Sequence, residues 1–329
     1  MSQTKVEILY TYLDEVANYL EGIVDVTYLE GLAEAGENLF KEEVCQHVTT
    51  EQKMWLQDKL FTIKDESISN EDIRKAFQLA VLKGMKGAVQ PHHSMTPDAV
   101  CLFLSYLVNK VIAKNEQPIL LLDLAAGSGN LVNALLNQST APITASAFEV
   151  DETLLKLAYV SANLQKHELQ LFHQDSVEPI VFEDVDLVVT DLPVGYYPKD
   201  EIAQAYQLKA PKGHSFIHHL MIEQAISKTK AGGFLFFLVP NFLFESEQAK
   251  QLHEYVKGEA NILGLLQLPN SMFQSEQFGK SIFMLQKKGE KTRQPKQALL
   301  AELPSFTKKE ALADMVKQIN KWFEEELRI

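Results

Sequence analysis

The sequence predicts an α/β fold: a mostly parallel, seven-stranded sheet with helices on both faces, preceded by a small all-helical N-terminal domain. Three observations carry this. Residues 119–122, Ile-Leu-Leu-Leu, read as a strand buried on both faces, with Asp123 at its end and Gly127 and Gly129 in a tight loop after it. Leu131, Val132, Leu135 and Leu136 then repeat at helical spacing, which completes a Rossmann-like strand, Gly-x-Gly turn and helix. Six further apolar runs, at 143–150, 169–173, 185–190, 234–239, 262–268 and 281–286, follow between helical and turn segments. The expected division is a helical accessory domain over 1–88, the α/β domain over 89–288, and a linker with a C-terminal helix over 289–329.

Composition narrows the class. The chain has 329 residues and 46% hydrophobic content, enough for one large α/β core and a smaller unit. Cys45 and Cys101 are too few for a disulfide framework or a cysteine zinc site, and both read as buried thiols of a reducing cytosol. No basic, then apolar, leader opens the sequence, and no apolar run reaches the ~20 residues of a membrane span. A soluble cytoplasmic protein with no membrane partner is therefore expected. Lys plus Arg number 31 against 44 Asp plus Glu, a net charge of −13. Phosphate contacts supply most nucleic-acid affinity, so this balance argues against a tight grip on nucleic acid by the chain alone.

In chain order, Ile8, Tyr12, Val16, Tyr19 and Leu20 form an apolar helical stripe that Gly22 ends. Ser69 with Asp72 makes a capping box before Ile73, Phe77, Ala80 and Val81. Met54 and Trp55 are expected in the core of this region, which is read as packing on the α/β domain, on a partner, or on a second copy. Residues 90–97 form a polar join in which His92 and His93 are solvated and Thr96, with Pro97, caps the next helix. Val132 stands where a dinucleotide site wants its third glycine, so the loop is not read as an NAD site. Glu149, at the end of the neighbouring strand, can accept both hydroxyls of a ribose. His214 and His218 have an i, i+4 spacing, but no Cys or Asp with ligand spacing completes a set, so no metal is expected. Residues 289–304 are polar and read as a linker, and Leu312, Met315, Ile319 and Phe323 mark a last helix.

Asp123-x-Ala125-x-Gly127-x-Gly129-Asn130 resembles the first motif of class I S-adenosyl-L-methionine (SAM) methyltransferases. It is closest to the N6-adenine DNA methylases, including the modification subunits of type I restriction systems. The resemblance covers about residues 90–288 and implies SAM as cofactor. It implies that Asp123, Ala125, Gly127, Gly129, Asn130 and Glu149 bind SAM, that Thr96 closes over it, and that Asp175 and Ser176 receive its adenine. Where the family places Asn/Asp-Pro-Pro-aromatic, this chain has Asp191-Leu192-Pro193-Val194. An exocyclic amine is a weak nucleophile, and acceptors for its two hydrogens keep electron density on nitrogen. That role falls to Asp191 and the Leu192 carbonyl, with Pro193 shaping the turn. Val194 cannot stack on a base, so Tyr196 or Tyr197 is the substitute. Adenine-N6 methyl transfer to DNA, weak without a partner subunit, is the function the resemblance implies. Transfer to RNA or a protein amide, and SAM binding without catalysis, stay open beside it.

Overall fold

The computed structural model describes residues 3–64, 67–86, 95–113, 117–273 and 275–328; His92 and His93 lie outside them. Four helices open the chain: α1 (Lys5–Ile23), α2 (Tyr28–Lys41), α3 (Thr50–Lys64) and α4 (Asn70–Met85). All four start on capping boxes, Thr4 with Glu7, Thr27 with Glu30, Thr49 with Gln52 and Ser69 with Asp72. In each, the hydroxyl and the carboxylate or amide oxygen accept one another's backbone N–H. From α3, Leu56, Leu60 and Ile63 turn inward, at spacings of four and three residues. Met54 lies off that stripe and is exposed, contrary to expectation, whereas Trp55 is half-buried and stacks on Tyr19 with ring centroids 3.9 Å apart.

The chain continues through α5 (Asp98–Ile112), β1 (Ile119–Asp123), α6 (Asn130–Gln138), β2 (Ile143–Glu149), α7 (Glu152–Leu164), β3 (Leu169–His173) and β4 (Val185–Asp191). It goes on with α8 (Asp200–Ala203), α9 (Ile217–Lys228), β5 (Thr229–Pro240), α10 (Ala249–Glu259), β6 (Ala260–Gln267), β7 (Lys280–Lys287), β8 (Leu299–Glu302) and α11 (Lys309–Trp322). The strands lie in the order β3-β2-β1-β4-β5-β7-β6-β8. Neighbours from β3 to β5 are parallel, and β7 runs antiparallel between β5 and β6. Helices α5, α6 and α11 share one apolar core with one face, and α9 and α10 share another. The sheet is thus Rossmann-like and mostly parallel, with eight strands instead of seven. The eighth, β8, pairs parallel with β6 inside the segment read as a linker. Four residues alternating between half-buried and exposed, next to a Lys/Gln-rich stretch, carry too weak a period to be read as a strand. Trp322 also closes on this segment, its indole N–H donating to the Gln297 carbonyl at 2.7 Å.

The N-terminal helices pack on α7, whose Leu154, Leu157 and Val160 enter their core. The approach is close because α2 has a glycine there. A Cβ on Gly36 would sit 2.5 Å from Val160 Cγ1 and 2.7 Å from Phe77 Cζ. Gly36→Ala is therefore expected to lower stability by about 1–3 kcal/mol through overpacking. Gly22→Ala, which meets nothing within 4 Å, is the control and should be neutral or stabilising by about 0.5–1 kcal/mol. Urea denaturation of both variants checks this.

Candidate cofactor and acceptor site

Strand order reverses on the two sides of β1, and the loops after β1 and β4 open a crevice there, as open α/β sheets do at such switch points. A cavity of about 310 Å³ occupies it. Asp123 ends β1, Glu149 ends β2, and Asp191 ends β4, so three carboxylates converge on one end of the sheet. Lys280 begins the antiparallel β7 and reaches the same end, because it pairs with Pro240 at the end of β5. A second depression, of about 350 Å³ beside His253, Lys257 and Lys288, lies at the opposite end of the sheet and holds none of these groups.

Backbone conformation makes the glycine loop. Gly127 has φ of 54° and Gly129 has φ of 81°, the left-handed region that glycine enters at no steric cost. The Gly127 N–H donates to Glu149 Oε2 at 2.7 Å, and Oε1 accepts from Val150 N at 2.8 Å and Asp151 N at 2.9 Å. A carboxylate offers about four lone-pair sites, so Glu149 keeps about one, on Oε2, for a ligand hydroxyl. Two ribose hydroxyls, as expected from the sequence, would need Gly127 to release its bond. Gly129 caps α6 and does not line the cavity; a Cβ there would lie 3.0 Å from Ala158 Cβ, so this glycine serves helix packing.

Asp123 is buried behind the loop instead of lining the cavity. It accepts from Ala125 N at 3.1 Å and from the Thr190 hydroxyl. Burial pushes its carboxyl up to about 7, and the nearby Asp191 and Glu149 charges add to the rise. Its hold on the loop is that of a carboxyl group sharing its proton at neutral pH.

At the acceptor end, Thr96 is not the helix cap the sequence suggested. Helix α5 starts after Pro97 with no side-chain cap, and the Thr96 hydroxyl donates to Asp191 Oδ2 at 2.8 Å. Asp191 Oδ1 takes an ion pair from Lys280. Leu192 and Pro193 line the cavity beside them, as do Thr96, Ala125, Gly127, Asn130 and Glu149. Asp175, Ser176 and Tyr196 do not. Asp175 accepts from the Tyr197 hydroxyl at 2.8 Å and Lys199 Nζ at 3.1 Å, and Ser176 donates to the Leu124 carbonyl at 2.7 Å. Tyr196 is 61% exposed and stacked on Phe216, centroids 5.0 Å apart, while Tyr197 is buried. Neither tyrosine lines the cavity. His214 pairs with Asp200 at 2.9 Å on the surface, whereas His218 and His219 are buried and pushed down to about 3 and about 4 by burial. Among the described residues no three His, Cys, Asp or Glu side chains gather as a metal site.

Sequence reasoning missed Lys280, Met85, Val150 and Ile217, all of which line the cavity. Val150 directly follows Glu149, Met85 and Ile217 stand at the ends of α4 and α9, and strand pairing with Pro240 brings Lys280 there. The lining fits a nucleoside-type ligand. Backbone amides and one free carboxylate lone pair suit hydroxyls, Leu131, Val150 and Leu154 give apolar cover, and the volume is at the lower end for small-molecule sites.

The Asp123 environment sets a pH dependence. Its folded-state value of about 7 exceeds the ordinary 3.8, so between the two the folded protein holds one more proton than the unfolded chain. This contribution to stability is full below pH 4 and is lost as pH rises to about 7. In Asp123→Asn the amide replaces the protonated carboxyl, and urea unfolding from pH 4.5 to 7.5 is expected to show a smaller decline than wild type.

Comparison with known proteins gives the family. The profile of the N-6 DNA methylase family matches residues 91–326, and that of the YtxK N-terminal helical domain matches residues 7–85. The chain is 49% identical over 330 residues to the uncharacterised protein YtxK of Bacillus subtilis, covering 99% of this chain and all of that one. A crystal structure from Listeria monocytogenes, described as a candidate class I SAM-dependent methyltransferase, is 40% identical with a TM-score of 0.91, over 97% of this chain and 99% of that one. The type I restriction-modification methyltransferase subunit of Streptococcus thermophilus shares the fold at 12% identity, with a TM-score of 0.66 over 96% of this chain and 74% of that one. The chain belongs to the N-6 DNA methylase family of SAM-dependent methyltransferases.

Proposed function

We propose that the chain transfers a methyl group from SAM to an exocyclic amine, with adenine N6 in DNA as the acceptor and a partner subunit supplying the grip on DNA. The observation that carries it is a single cavity lined at once by the glycine loop, Glu149, Asp191 and Leu192. Cofactor groups and acceptor groups therefore open on one space. SAM supplies the electrophilic methyl group when bound. The chain's part is to hold and orient: Gly127 and Glu149 fix the cofactor, and the lone pairs left on Asp191, with the Leu192 carbonyl, accept the amine's hydrogens. Asp191 keeps about two of its four lone-pair sites after Thr96 and Lys280 are counted. The charge of −13 supports the need for a partner, since acidic side chains outnumber the cations that would meet phosphates.

A second reading, SAM binding without transfer, has one observation in its favour. Lys280 neutralises Asp191, and neither Val194 nor a tyrosine brings an aromatic ring into the cavity lining. The two readings share the cofactor site and part at the acceptor.

SAM is expected to raise the melting temperature of the purified protein, because a ligand that binds only the folded state stabilises it, by about 2.7 kcal/mol at a hundred times Kd. Gly127→Val, a branched residue forced to positive φ, should abolish the shift, and Glu149→Ala should reduce it. No shift with SAM but one with NAD would overturn the cofactor assignment.

Labelled-SAM transfer to DNA, RNA and protein separates the readings. Asp191→Ala should lower transfer by about 10²-fold or more while SAM binding persists. If wild type and Asp191→Ala are equally inert on every acceptor and both bind SAM, the non-catalytic reading replaces the first. Lys280→Met then shows whether the ion pair is what silences Asp191.

A further inference from the structure

Arg74 sits on α4, one of the N-terminal helices, yet only 1% of its side chain is exposed and its bonds point at the methyltransferase site. Its Nε and Nη2 donate to the two oxygens of Glu71, one turn back on the same helix, and Nη2 also pairs with Asp98 at the start of α5. Its Nη1 donates to Asn130 Oδ1 at 2.9 Å. Asn130 follows the glycine loop directly, is buried and lines the cavity.

That bond fixes which way the Asn130 amide faces. With Oδ1 held by the guanidinium, Nδ2 donates to the Thr96 carbonyl at 2.9 Å. The Thr96 hydroxyl in turn donates to Asp191 Oδ2. Four residues thus form one directional chain, Arg74 to Asn130 to Thr96 to Asp191, which enters Thr96 at its main-chain carbonyl and leaves from its hydroxyl towards the acceptor carboxylate. Glu71 shares a helix with Arg74 and anchors the guanidinium, and its Oε2 also accepts from Asn137 Nδ2 on α6 at 3.2 Å, which ties that anchor to the α/β domain without reaching the cavity. Asp98 and Asn130 make the guanidinium's own links. A planar fork with four of its five N–H donors engaged sets orientation as well as attraction, which a lysine cannot. Met85, at the end of the same helix, lines the cavity too.

We infer that Arg74 is a positioning residue of the SAM site: it orients Asn130 and, through Thr96, Asp191, so that cofactor affinity and transfer depend on how α4 is seated. This rests on the cofactor reading proposed above. A purely structural role predicts that Arg74 acts only through stability, and the test must exclude that.

SAM affinity is measured by calorimetry on wild type, Arg74→Met, Arg74→Lys, Asn130→Ala, the Arg74→Met/Asn130→Ala double variant and Leu13→Ala, at a temperature where all are folded. Leu13 is fully buried in the N-terminal core on α1, which carries no residue of the relay, and its truncation is expected to cost about 2–5 kcal/mol of stability. Arg74→Met and Arg74→Lys are both expected to weaken SAM binding about tenfold, within the range for residues sharing one hydrogen-bond network. The double variant should lose no more than the larger single loss, and Leu13→Ala should bind within about twofold of wild type. Should Arg74→Met fail to fold, Arg74→Lys carries the comparison. Affinity unchanged in the Arg74 variants, matched by Leu13→Ala, or additive in the double variant overturns the relay alone. A wild type that does not bind SAM overturns the cofactor reading, and the relay with it.

Discussion

The constraint on which the site depends is the reversal of strand order beside β1. Parallel strands send their carboxyl ends the same way, so β1, β2 and β4 must each deliver their last side chain to one rim. Those side chains are Asp123, Glu149 and Asp191, and three carboxylates in so small a space repel one another. The structure resolves this differently for each. Asp123 is buried and shares its proton near neutrality, Glu149 is ringed by three backbone N–H groups, and Asp191 takes the ammonium of Lys280 and the hydroxyl of Thr96. The loop conformations follow from these solutions. Gly127 turns its N–H towards Glu149 at a positive φ, and the start of α5 is uncapped because Pro97, which has no side-chain acceptor, occupies the N-cap, leaving the Thr96 hydroxyl for Asp191.

Legibility tracked the range of the interaction. The glycine loop, the capping box at Ser69 and the strand ends at Asp123, Glu149 and Asp191 are marked by residue types at short spacing, and the sequence displays them directly. Lys280 and Arg74 were invisible because each acts across the fold, 89 residues from Asp191 and 56 from Asn130. No local pattern marks a lysine at the start of an antiparallel strand as a partner for a carboxylate two strands away. Asp175, Ser176 and Tyr196 differ in the opposite direction, standing outside the cavity lining. Resemblance supplied their roles, but the fold spends their polar groups on Tyr197 and Lys199, on Leu124, and the Tyr196 ring on Phe216. Strand β8 escaped notice because its order comes from the open edge of β6 rather than from its own four residues.

The cofactor and acceptor halves of the cavity differ in electrostatic character. Around the glycine loop, Glu149 is held by three backbone N–H dipoles, with no side-chain cation in its hydrogen-bond set. That suits a ligand carrying a positive centre and hydroxyl donors. At the acceptor end the charge is paired, since Lys280 and Asp191 sum to zero and are both largely buried. Breaking such a pair leaves an uncompensated buried charge, which is costly. An acceptor entering there must therefore bond to the pair as it stands, offering a donor to Asp191 and a lone pair to Lys280. Adenine has that combination, with its amino group next to a ring nitrogen, and so does a primary amide.

This pairing also bears on how a base would be held. A stacking ring contributes about 1–3 kcal/mol per base, and the cavity lining has none. The hydrogen bonds to Asp191 and Lys280 exchange with water and contribute only about 0.5–3 kcal/mol each. An extruded base, having given up its stacking and pairing at a cost of a few kcal/mol, would be held here chiefly by three polar contacts, to Asp191, the Leu192 carbonyl and Lys280. The balance closes only if the strand is bent or opened by other contacts, and an acidic chain of net charge −13 is poorly equipped to make them through phosphates. The altered motif and the acidic surface thus lead to the same requirement. If DNA is the acceptor, the work of distorting it belongs to a partner, and this chain contributes the cofactor, the paired acceptor groups and the relay that aligns them.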